Sequence, residues 1–140
     1  MDNVIPSSNS VMARNLYRLG VLLDRDDWKN ISISMTSQLI SLIESEPSYM
    51  SNWGMLLAEI TTGFAEVVIV GNEVDKKRKE LHTHYLPFAL TLGTKTKSKL
   101  PLLEGREAKS GETMIYVCFN KTCKLPTTQI IEALEQIKLK

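Results

Sequence analysis

The feature that most limits the fold of this chain is a change of hydrophobic period near its middle. Before residue 64 the apolar residues recur at steps of three and four, the spacing of one face of a helix. Ala65-Glu66-Val67-Val68-Ile69-Val70-Gly71 then forms a β-branched run closed by glycine, the pattern of a strand covered on both faces. Such a strand implies a sheet with parallel neighbours. The chain therefore reads as α+β or α/β, with a helical segment over residues 1–64 and a small α/β unit over residues 65–140.

Three helices account for the first segment. Ser7-Ser8-Asn9-Ser10 is rich in N-cap residues, and Met12, Leu16, Leu19 and Leu23 follow as an inward stripe. Asp24-Arg25-Asp26-Asp27 stops that helix and sets carboxylates against the positive end of the next. The second helix runs from about Trp28, with Trp28, Ile31, Met35, Leu39 and Leu42 as its main stripe and Ile33, Ile40 and Ile43 as a second edge, until Glu46-Pro47-Ser48 ends it. The third starts at Ser51 or Asn52, carries Trp53, Leu56, Leu57, Ile60 and Phe64 on one face, and has Gly63 near its end. In the second segment Val74, Arg78, Leu81 and Tyr85 give a charged helix that Leu86-Pro87 closes. Phe88 to Leu92 and Thr113 to Phe119 are strands, and Pro126-Thr127-Thr128 opens a last helix with Ile130, Ile131, Leu134 and Ile137 inward. The expected architecture is three helices packed on a three-stranded βαβ-β-α unit.

Composition narrows the class. With 43% hydrophobic and 24% charged residues the chain is of ordinary globular type. A formal charge of +1, with lysines spread among acids, gives no reason to expect a nucleic-acid partner. No apolar stretch approaches the ~18 residues of a membrane span and no secretory leader pattern opens the chain, so no membrane partner is expected. Two cysteines are too few for a disulfide-framed scaffold, and a cytoplasmic location is the expectation that follows.

No set of residues has the types and spacing of a complete catalytic site, and no cofactor or metal is expected. Gly71-Asn72 lies where a nucleotide-binding turn would, but one glycine followed by Glu73 lacks the phosphate-cradling fingerprint; a small-ligand site at this turn is the weaker alternative to a plain βα turn. Cys118 and Cys123 are spaced CxxxxC, without the C-x-x-C of a zinc site or of a catalytic dithiol at a helix N-terminus. Two structural thiols are the simplest reading, and a reversible redox pair is the functional alternative. His82 and His84, two residues apart on a helix, point to different faces. Asp24, Asp26, Asp27, Glu44 and Glu46 read as caps and solvated charges.

Two stretches carry a family resemblance. Asp2-Asn3-Val4-Ile5-Pro6-Ser7-Ser8-Asn9-Ser10-Val11 with Asn15-Leu16-Tyr17-Arg18-Leu19 forms the first. The second comprises Glu66-Val67-Val68-Ile69-Val70-Gly71 and Tyr116-Val117-Cys118-Phe119-Asn120-Lys121-Thr122-Cys123-Lys124-Leu125-Pro126. Together they resemble the C-terminal part of the family of YyaL-like and spermatogenesis-associated thioredoxin domain-containing proteins. Asn3 and Ser8 stand where that family often has glycine, which alters the backbone freedom of the first loop.

The resemblance implies a parent protein with a thioredoxin-like domain, an α/α barrel of six-hairpin glycosidase type and a small α/β ending. This chain would supply the last barrel helices and that ending. It implies a non-catalytic C-terminal region of a carbohydrate-active protein, with Asp2, Ser7 and Asn9 on a ligand-facing loop and a sugar-like ligand in the parent. Barrel helices cut from their neighbours expose apolar faces, so self-association is expected. Cys118 and Cys123 as a redox-responsive pair are the competing reading.

Overall fold

The computed structural model describes residues 2, 4–109 and 111–138. The chain forms two compact units, Met1–Gly63 and Phe64–Lys140.

The first unit contains α1 (Ser8–Leu22), α2 (Asp26–Ser37), α3 (Ile40–Ser45), a 3₁₀ turn (Pro47–Tyr49) and α4 (Ser51–Thr62). The second helix expected from the sequence is thus two pieces. The hydroxyl of Thr36 bonds back to Ser32 O and that of Ser37 to Ser34 O, and the Leu39 amide turns to Thr36 O, so the helical ladder is interrupted after Ser37. Gly63 ends α4 at φ 68°, a left-handed conformation suited to glycine.

The helical faces differ from the sequence expectation in an informative way. α1 buries Ser10, Ala13, Tyr17 and Gly20, and α2 buries Ser32 and Thr36. Met12 is 56% exposed, Leu19 42% and Ile31 49%. Small residues let the two backbones approach: Ser32 Oγ donates to Ala13 O at 2.7 Å. A Cβ on Gly20 would lie only 2.9 Å from the Arg25 carbonyl oxygen. Apolar burial in this unit centres on Met50, Trp53 and Leu56, beside Ala13 and Tyr17.

The second unit holds β1 (Ala65–Gly71), α5 (Val74–Leu81), β2 (Ala89–Thr94), β3 (Thr113–Phe119), β4 (Thr122–Cys123) and α6 (Ile130–Lys138). The sheet order is β2-β1-β3-β4. β1 runs parallel to β2, pairing Ala65 with Ala89 and Val70 with Thr94, and antiparallel to β3, pairing Val67 with Val117. The sheet is therefore mixed and has a fourth short strand. Alternation sends Val67, Ile69, Ile115 and Val117 into one core with Val74 and Leu81 of α5 and Ile130, Ala133 and Leu134 of α6.

Three details differ from expectation. α5 stops at Leu81, leaving Tyr85 91% exposed beyond it. α6 starts at Ile130 and not at Pro126, because Thr127 exchanges backbone hydrogen bonds with Ile115 and its hydroxyl accepts from Gln129 N. The same placement turns Ile131 outward. Among the described residues no helix is long and apolar enough to cross a membrane.

Candidate functional site

The loop before α1 is organised by one carboxylate. Asp2 is 1% exposed, and its Oδ1 accepts from Ser7 N at 2.8 Å and Ser10 Oγ at 2.6 Å. Its Oδ2 accepts from Asn52 N at 2.9 Å and Trp53 N at 3.3 Å. Those amides open α4 and have no partner within the helix, so Asp2 acts as an N-cap supplied from fifty residues away. Burial pushes the Asp2 carboxyl up, but the hydrogen bonds from Ser10, Ser7 and Trp53 outweigh it and hold the group below its ordinary range. Of the other two loop residues, Ser7 caps α1 by accepting from Ser10 N, and Asn9 is exposed in the first turn.

A second layer continues from Asn52. Its Nδ2 donates to Ser10 Oγ at 2.9 Å, and its Oδ1 accepts from Arg14 Nη1 at 3.1 Å. Arg14 also grips Glu59 Oε1 through Nε at 2.8 Å and Nη2 at 2.5 Å, while Arg18 Nη2 reaches the same oxygen at 2.6 Å. Glu59 is 1% exposed, so a buried anion sits between two guanidiniums one turn apart on α1. Burial and then the Glu59 charge push the Tyr17 phenol up. Asp2, Ser10, Asn52, Arg14, Glu59 and Arg18 form one polar chain. Its members bond to one another and to the amides of Ser7 and Trp53, which suits the chain of bonds to fixing α1 against α4 and holding Asp2 against the start of α1.

The second unit brings together groups the sequence kept apart. Cys118 on β3 and Cys123 on β4 are paired across the hairpin and joined in a disulfide, with an S–S distance of 2.13 Å. The two structural thiols of the simplest sequence reading are thus one cystine. The turn between them places Asn120 and Lys121 at φ 48° and 69°, the positive-φ pair that a two-residue hairpin favours. Arg106, from the loop between β2 and β3, lays Nη2 3.4 Å from Cys118 Sγ and 3.2 Å from Cys123 Sγ. Its Nη1 donates to Leu102 O, and its Nε is buried without a hydrogen-bond partner among the described residues. Tyr116 Oη donates to Glu107 O at 2.6 Å, tying the same loop to β3.

At the carboxyl ends of β1 and β2, Val70, Gly71, Lys95, Thr96, Lys97 and Arg106 line a shallow cleft of about 230 Å³. Lys95 pairs with Asp75 and Lys97 with Glu107 at its rim. Gly71 has φ 134°, and Glu73 N donates to Thr113 Oγ1, so the turn considered for a small ligand is braced by β3. His82 and His84 lie past the end of α5 beside a cavity of about 240 Å³ with Leu86, Ala89 and Thr91, and His82 Nε2 is 3.2 Å from Thr91 Oγ1.

Comparison with known proteins adds a relationship. The chain is 25% identical to human spermatogenesis-associated protein 20, 24% to the rat protein and 23% to the mouse protein, each over 94% of the chain. The likeness is to spermatogenesis-associated protein 20. It matches the family whose motifs the loop at Asp2 and the segment at Cys118 resemble. The chain spans 18% of the length of these spermatogenesis-associated proteins, so it corresponds to part of a larger protein. It matches no protein-family model, and no solved structure matches it.

Sequence reasoning missed Glu59, Arg14, Arg18 and Arg106. Arg14 and Arg18 stand four apart on α1, a spacing that puts two cations on one helix face. That was the one available signal. Glu59 lies 45 residues from Arg14, and Arg106 lies in a loop punctuated by Pro101 and Gly105, so neither partner is marked by local pattern.

Proposed function

We propose that this chain is the non-catalytic C-terminal region of a larger, cytoplasmic, carbohydrate-active and thioredoxin-linked protein related to spermatogenesis-associated protein 20. The observation that carries the reading is the alignment of 94% of the chain to 18% of those relatives' length. The outward apolar faces of α1 and α2 support it, since a helical barrel would cover Met12, Leu19 and Ile31 with its remaining helices. In this reading Asp2 and Ser7 set the path of a loop at one end of that barrel, and Asn9 offers its amide to a sugar-like ligand. Buried Asp2 is the shaping member, and exposed Asn9 is the contacting one.

The test is an activity screen of the purified chain against a panel of glycosides and of sugars with an epimerisable centre. No turnover is expected. Turnover by the isolated chain would replace the accessory reading with an enzymatic one.

A further inference from the structure

We propose that the Cys118–Cys123 cystine is a reducible site, attacked by a thiol at Cys123 and assisted by Arg106, which stabilises Cys118 as the leaving thiolate. The two sulfurs differ in access: Cys118 is fully buried, whereas Cys123 is exposed on a two-residue edge strand. A solvent thiolate can therefore approach only the Cys123 sulfur. In-line displacement there forms a mixed disulfide on Cys123 and breaks the bond to Cys118, which departs as a thiolate.

That thiolate forms where a guanidinium already sits, 3.4 Å from its sulfur. A cation beside a sulfur lowers the thiol pKa, and a leaving thiol of lower pKa departs faster. Arg106 is held for the task by Leu102 O, and the Tyr116–Glu107 bond fixes the loop beside it. With a dithiol as reductant, its second thiol attacks the mixed disulfide and releases Cys123. The balance is one protein disulfide and one dithiol in, one protein dithiol and one cyclic disulfide out: two electrons and two protons move from reductant to protein.

Reduction has a local consequence. β4 pairs with β3 at Cys118 and Phe119, and beyond it Lys124 N donates to Val117 O and Thr127 pairs with Ile115, so the cystine fastens the start of the segment and those backbone bonds its end. The core of β1, β3, α5 and α6 is built from other residues. Opening the bond should thus loosen the hairpin turn and β4, while the backbone bonds at Lys124 and Thr127 and the rest of the sheet stay in place.

The experiment uses the full chain in native buffer with dithiothreitol as the probe. Thiol titration should read no free thiols before treatment and two after it, with the far-ultraviolet circular dichroism spectrum preserved. The pH profile of iodoacetamide alkylation at Cys118 of the reduced chain, read separately from Cys123 by peptide mass spectrometry, should have its midpoint below that of a free cysteine. Arg106→Met should move that midpoint upward by at least one pH unit and slow native reduction about tenfold, and Arg106→Lys should restore most of both. Should Arg106→Met loosen the loop, access would change rates at every pH without moving the midpoint, so the midpoint decides. The proposal is overturned if two thiols appear only in denaturant, or if the midpoint is the same with and without the guanidinium.

Discussion

The two units of this chain solve the same problem with different materials. The second unit buries β-branched and aliphatic side chains from the inner face of its sheet and from α5 and α6 in one apolar cluster. The first joins α1 and α2 through Ala13, Gly20 and Ser32, ties α1 to α4 through a buried carboxylate, and leaves Met12, Leu19, Ile31 and Ile33 substantially exposed. One is held chiefly by volume filled and the other has an added dependence on hydrogen bonds and charge. Each should fail by its own route.

The largest effect belongs to the apolar core. Ile115 is fully buried between β1 and the helices, so Ile115→Ala should cost about 2–5 kcal/mol, the lost transfer energy plus a cavity. Denaturant unfolding should show the loss independent of salt. In the first unit Glu59→Gln should cost about 2–4 kcal/mol, because it leaves two guanidiniums facing a neutral amide. That is below the range for a fully enclosed pair, since Arg18 is more than a third exposed and solvent screens it. Here added salt should recover part of the loss. Equal salt responses in the two variants would erase the distinction between the units.

The same contrast explains what the sequence displayed. β1 and β3 were legible to the residue, since a strand covered by core reads as a β-branched run whatever surrounds it. The helices of the first unit were legible as helices but their orientation was not. A hydrophobic stripe marks the inward face only where burial is apolar, and α1 turns its serine, alanine and glycine inward. β4 was too short and polar to register, and the partners of Glu59 and of the cystine were set by tertiary placement.

Asp2 gives a smaller and pH-dependent effect. Its folded pKa is depressed, so its carboxylate contributes stability in full above the unfolded value of ~3.9 and loses it as the pH falls through the folded one. The acid limb of a melting-temperature profile should therefore include a drop below about pH 4. Asp2→Asn should remove that part of the drop and cost about 1 kcal/mol at neutral pH, the scale of a weakened helix cap. A variant whose acid limb superimposes on the wild type would mean that the cap contributes nothing to folding.

The smallest effect on stability should come with the clearest effect on association. Met12, Leu19 and Ile31 are each roughly half exposed on α1 and α2, so replacing them with serine removes little buried area and should change unfolding free energy by no more than about 0.5 kcal/mol per site. If these faces are where a larger helical assembly continues, the isolated chain should self-associate through them, and light scattering should show a mass above 15.8 kDa that falls to the monomer in the triple variant. The stability measurement guards the interpretation: a triple variant that unfolds would also lose its partners, but for a reason unrelated to the surface. A wild-type chain that is already monomeric at high concentration would show that outward apolar side chains are tolerated here as ordinary surface, and would remove the physical support that the first unit lends to a barrel parent.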